Sequence, residues 1–154
     1  MAAAVIELGD APAAWARLGF APDAAGEVVL GEARVRLTGR GGGILGIEAD
    51  DVTTPHPDGL PLQPSTRGQA GGPKSGLAHP NGATLVDHVV GLTGSLARTV
   101  AALWGLVVVV PELEGLGPLV GAPKDAVQPG RRIATVSRDA GLGTALALMT
   151  PRRT

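Results

Sequence analysis

The chain has 154 residues, enough for one domain or two small modules. It contains no cysteine, which excludes disulfides, thiolate catalysis and cysteine-ligated zinc and fits a cytoplasmic protein. Its formal net charge of -1, from 13 basic and 14 acidic side chains, supplies no long-range field to gather nucleic acid or an anionic membrane.

Hydrophobic residues make up 44% of the chain, but with Phe 1, Trp 2 and Tyr 0 the core must be built from Ala, Val, Leu and Ile. These bury less area per residue than aromatic rings do. Gly 24 and Pro 13 predict long irregular segments. No apolar run is long enough to span a bilayer. The opening Met1-Ala2-Ala3-Ala4-Val5-Ile6-Glu7 lacks a basic leader and meets an acid early, so it does not read as a signal peptide.

In chain order, residues 3–8 read as a short apolar strand. Asp10 is placed to cap a helix with Pro12 in its first turn, and Ala11, Trp15 and Leu18 form one helical face. Gly19 suits a left-handed helix ending, with Phe20 placed to fold back on Trp15. Residues 28–37 alternate as a hairpin around Gly31-Glu32, with Gly first as a type II′ turn requires. Residues 44–47 continue as a further strand, so residues 1–50 read strand, helix, strand, strand, strand. The glycine-rich stretch 39–43 lacks the Lys-Ser/Thr ending of a phosphate loop and reads as a flexible hairpin loop.

Residues 51–83 hold six prolines, many glycines and little periodic pattern, and read as a linker. Its His56 and His79 each precede a proline and read as solvent-exposed loop residues. A C-terminal part over 84–154 follows. It opens with a strand at 85–92, and Thr93 or Ser95 is placed to cap a helix carrying Leu96, Val100 and Leu103. The β-branched run from Leu106 to Val110 predicts a strand covered on both faces. Pro111-Glu112 opens a poor helix with Leu113, Leu116 and Leu119, interrupted by Gly115, Gly117 and Pro118. Residues 132–136 and 145–149 read as two final strands.

Three stretches carry a resemblance. They are Ala14-Trp15-Ala16-Arg17-Leu18-Gly19-Phe20 with its hairpin, and His79-Pro80-Asn81-Gly82 leading into Asp87-His88-Val89-Val90 and Leu96-Ala97-Arg98-Thr99. The third and longest runs from Asp125 through Gly130-Arg131-Arg132-Ile133-Ala134-Thr135-Val136 to Leu148-Met149-Thr150-Pro151. Together they resemble an uncharacterised glyoxalase-like branch of the vicinal oxygen chelate superfamily. The resemblance implies an α+β fold, with βαβββ modules forming a curved mixed sheet and helices on its outer face. One module, comprising the strand and helix over 84–103 ahead of a shortened module over 104–150, has lost its second half. Members include isomerases, dioxygenases and drug-sequestering proteins, so fold does not fix function.

Metal-dependent members hold a divalent ion through His, Glu or Gln on paired modules. By this resemblance His88 is the only candidate ligand. Gly105 stands at the matching place in the next module and the last strand offers no carboxylate; Glu48 ends the N-terminal module as a further donor, but its neighbours Asp50-Asp51 read as a solvated strand end. No cofactor is expected, and a divalent metal only if another chain completes the site. Asp87 with His88 resembles half of a catalytic triad, but no nucleophile accompanies it. The arginines at 131, 132, 138, 152 and 153 read as a solvated edge and tail, Asp139 with Arg138 as a surface pair, and Trp15 and Trp104 as structural anchors. The first reading is a small-molecule-binding or catalytically degenerate protein whose cleft is lined by His88, Val90, Thr135 and Met149. The alternatives are a lyase or dioxygenase completing its metal site in a homodimer, and an interaction module with an exposed sheet edge.

Overall fold

The computed structural model describes residues 4–56, 60–66, 77–92 and 102–152. Its elements are β1 (Ala4–Leu8), α1 (Pro12–Arg17), β2 (Glu27–Leu30), β3 (Ala33–Leu37), β4 (Ile44–Ala49), β5 (Leu62–Pro64), β6 (Leu85–Leu92), β7 (Ala102–Val109), β8 (Lys124–Asp125), β9 (Arg132–Thr135) and β10 (Ala145–Met149). They form two mixed sheets, ordered β2-β3-β1-β4-β5 and β6-β7-β10-β9-β8.

The expected α+β architecture, with helices covering the outer face, is not what forms. Strand takes 41% of the described residues and helix 7%. The six residues of α1 make a helix of about 9 Å, too short to cover a sheet. The predicted helix at 111–120 is absent, because Gly115 and Gly117 adopt φ of 76° and 96°, outside the helical region. The predicted helix over 95–103 lies mostly outside the described residues, and its last residue, Leu103, belongs to β7. Among the described residues no helix is long and apolar enough to cross a membrane.

The first sheet follows its alternating pattern. Ile6, Val28, Val35 and Ile47 face the core in register, while Glu7, Glu27, Arg34 and Arg36 occupy the other face. Arg36 lies 3.3 Å from Glu27 and 3.8 Å from Glu7 on that outer face. β1 sits between β3 and β4, parallel to one and antiparallel to the other. Residues 39–43 are therefore a crossing rather than a hairpin loop. They are tied down as Gly9 N–H donates to the Gly43 carbonyl at 2.8 Å and Gly41 N–H to the Gly9 carbonyl at 2.7 Å.

The helix ending forms as its residues predict. Gly19 has φ 82°, its N–H reaches the Ala16 carbonyl at 3.0 Å, and Phe20 N–H reaches the Trp15 carbonyl at 3.2 Å. The Phe20 and Trp15 rings pack at a tilt, their centroids 4.7 Å apart. Asp10 makes no cap hydrogen bond to α1.

In the second sheet, Leu106, Val108, Leu146, Leu148 and Ala134 face inward and share one buried cluster with Leu8, Trp15, Val35 and other residues of the first half. The core therefore lies between the inner faces of the two sheets. Two segments of the 51–83 region also take part. Leu62–Pro64 adds the edge strand β5, and Asn81 donates from Nδ2 to the Leu18 carbonyl at 3.0 Å. His79 is buried, not solvent-exposed. Its Nδ1 accepts from Ala21 N–H at 3.1 Å and its Nε2 donates to the Val29 carbonyl at 2.9 Å, so both ring nitrogens are committed to backbone.

Candidate functional site

The outer face of the second sheet carries the residues to weigh. Register places His88 opposite Val107, Val107 beside Ala147, and Ala147 opposite Thr135, so one row crosses four strands. Val90, Gly105 and Ala145 form the next row, and Val109, Met149 and Ile133 the row on the other side. The four residues expected to line a cleft therefore share one face.

Two bulges shape it. On β6 the register slips between Val86 and His88, leaving Asp87 as the extra residue. Successive strand residues normally point to opposite faces, and a bulge re-aims them. Here it lets Asp87 and His88 meet, Oδ2 to Nδ1, at 2.8 Å. On β7, Trp104 is the residue left unpaired between Leu103 and Gly105. It is 52% exposed, so it is not the structural anchor expected of it, whereas Trp15 is fully buried.

A cavity of about 370 Å³ opens on this face. Val90, Gly105, Val107, Thr135, Ala145 and Ala147 form its floor, Trp104 stands at its side, and the segment from Ser137 to Thr144 contributes its rim. Gly105 is required by close approach: a methyl group there would lie 2.5 Å from the Ala145 carbonyl oxygen. The rim is held from the first half of the chain. Asp10 Oδ1 accepts from Gly143 N–H at 2.7 Å and Thr144 N–H at 3.2 Å, while Oδ2 accepts from Trp15 Nε1 at 3.1 Å. Arg17 adds a bond from Nη2 to the Ala140 carbonyl at 2.6 Å. Within the rim, Ser137 caps a 3-10 turn over Arg138–Ala140, accepting from Asp139 N–H and donating to Asp139 Oδ2, both at 3.2 Å. Among the described residues Arg138 and Asp139 form no ion pair, contrary to the expected surface pair.

Of the four expected lining residues, Val90 and Thr135 border the cavity. His88 lies one position outside it, opposite Val107, and Met149 is buried at 2% exposure two rows away from Val90. Sequence reasoning missed Thr144 and Arg138 as lining residues and misread Trp104. The available signal was a lone tryptophan before glycine in an aromatic-poor chain.

Asp87 holds a second partner, Arg131. Its Oδ1 accepts from Arg131 Nη1 at 2.8 Å, and Arg131 Nε donates to the Thr150 carbonyl at 2.8 Å. Arg131 is 8% exposed, so it is not part of a solvated edge. Burial pushes the Asp87 carboxyl up, but the hydrogen bonds from His88 and Arg131, with their charges, outweigh it and hold the group below its ordinary value. This donor set does not fit a divalent ion. Both Asp87 oxygens are engaged, a guanidinium lies beside them, and His88 Nδ1 is taken. Among the described residues no group of three or more His, Asp or Glu is placed to hold a metal. Glu48 stands in the other sheet, paired in register with Val5 and Gln63.

Compared with protein-family models, with curated proteins and with solved structures, the chain matches none.

Proposed function

We propose that this chain is a small-molecule-binding protein whose ligand occupies the cavity beside Trp104. The carrying observation is the cavity itself, which has an apolar floor, a half-exposed indole at its side and a few polar groups at its rim. That combination is the usual make-up of a small-molecule site, and its volume lies at the small end of the range. The hydrogen bonds from the rim to the buried Asp10 support a pre-formed site rather than one assembled on binding.

The resemblance to the glyoxalase-like superfamily enters this reading for function alone: a binding or catalytically degenerate member without a complete metal site. A cytoplasmic location accords with the absence of cysteine.

The test is a fragment screen followed by amide chemical-shift mapping. Binding should perturb Val90, Gly105, Val107, Thr135 and Ala147 together and should weaken at least tenfold in Trp104→Ala. A screen in which hits map elsewhere, or in which the Trp104 variant binds unchanged, would overturn the assignment.

A further inference from the structure

Among the described residues the cavity lining holds one charged side chain, Arg138, which reaches it from the rim with no Asp, Glu, Lys or His beside it. Arg138 is exposed and, among the described residues, has no ion-pair or hydrogen-bond partner for its guanidinium. The neighbouring Asp139 is engaged instead with the Ser137 hydroxyl at 3.2 Å. The second arginine near this face, Arg131, is already neutralised by Asp87 at 2.8 Å and is buried. A free guanidinium therefore stands on one side of the cavity and a half-exposed indole on another, with glycine, alanine and valine between them.

An indole face gives a flat apolar surface suited to a ring or a planar chain. A guanidinium fork matches a carboxylate through two parallel hydrogen bonds. Gly105 puts no side chain into the floor, because a Cβ there would lie 2.5 Å from the Ala145 carbonyl oxygen. We infer that the ligand is a small organic anion, a carboxylate on a planar apolar body, with its body against Trp104 and its carboxylate at Arg138. This rests on the binding reading above and adds the ligand's chemical class to it.

Three probes of one shape separate the two ideas: 2-naphthoate, neutral 2-naphthalenemethanol and cationic 2-naphthylmethylamine. Binding is read by quenching of Trp104 emission, with Trp104→Leu as the blank for buried Trp15. The expected order is anion, neutral, cation, with the anion about tenfold tighter than the neutral probe. Arg138→Gln should bring the anion down to the neutral probe's affinity without changing the latter, and Arg138→Lys should restore part of the preference. Raising the salt concentration should narrow the gap in the natural chain. If anion and neutral probe bind alike, or if Arg138→Gln keeps the preference, the ligand class is wrong while the cavity stands as a binding site. If none of the three binds, the binding reading itself falls.

Discussion

Asp10 accepts the backbone N–H of Gly143 at 2.7 Å across 133 positions of chain. The same carboxyl takes Thr144 N–H and Trp15 Nε1, so one buried side chain joins the end of β1, the core tryptophan and the rim of the cavity. Truncation to Ala leaves two buried donors, Thr144 N–H and Trp15 Nε1, and the more exposed Gly143 N–H without this partner. Asp10→Ala should cost about 2–4 kcal/mol. Asp10→Asn should cost less, because its carbonyl oxygen can still accept from Gly143 and Thr144, and only the indole N–H, now facing an amide donor, loses its acceptor. Urea unfolding of both variants checks this, and equal losses would contradict the assigned roles of the two oxygens.

How much of this was legible in the chain depends on the range of the interaction. β6 and β10 match their expected bounds because each is a short run rich in Val, Leu or Ala. The Gly19-Phe20 ending was legible because a Schellman turn is settled within six residues. Asp10, His79 and Arg131 were not. Each is a polar residue in a segment that looks like cap, linker or tail, and each is buried only because its partners come from far along the chain. The sheet order was hidden for a similar reason. A hairpin is local, but the insertion of β1 between β3 and β4 is a choice among pairings that period-two patterning does not distinguish. The cavity escaped because it is made by a bulge at Trp104 and a distant rim, and neither leaves a motif.

Asp87 links stability to pH. Its carboxyl titrates below the ordinary value of 3.8 in the folded chain, since the bonds from His88 and Arg131 outweigh burial. A carboxyl lowered on folding contributes stability that is fully present above its unfolded value and is lost as pH falls through the folded one. Asp87→Asn should therefore be less stable than the natural chain at pH 6, by about 1–3 kcal/mol, because it leaves the buried Arg131 without a counter-charge. The difference should shrink as the pH drops below 3.8. Denaturation midpoints of the two proteins at pH 6, 4.5 and 3 give the comparison. A constant gap would mean that the ion pair does not titrate with folding.

Thr144 borders the cavity and is 3% exposed, and its hydroxyl is the one buried side-chain oxygen or nitrogen among the described residues without a hydrogen-bond partner. Replacing an unpaired buried hydroxyl with a methyl group of similar shape removes a desolvation cost of about 1–3 kcal/mol and loses no bond. Thr144→Val should be as stable as the natural chain or more so, where a buried substitution usually destabilises. Thermal unfolding without ligand is sufficient to decide. A clear fall in the melting temperature would show that the hydroxyl has a partner after all.

Gly105 tests whether the floor of the cavity and the strand pairing are one feature. β7 and β10 run parallel there, and a methyl group on Gly105 would lie 2.5 Å from the Ala145 carbonyl oxygen and 3.0 Å from the Ala145 Cβ. Both are backbone or short-stem atoms with little freedom to move away. The strands must shift, and the shift falls between Trp104 and Val107, where the cavity lies. Gly105→Ala should cost about 1–3 kcal/mol and reduce Trp104 quenching by any cavity ligand in the same variant. Ala147→Gly, one row away on the same face, removes a methyl without a clash. It should keep ligand binding while losing about 1 kcal/mol from strand propensity. If Gly105→Ala lost stability but bound ligand normally, the close strand contact would be separate from the site.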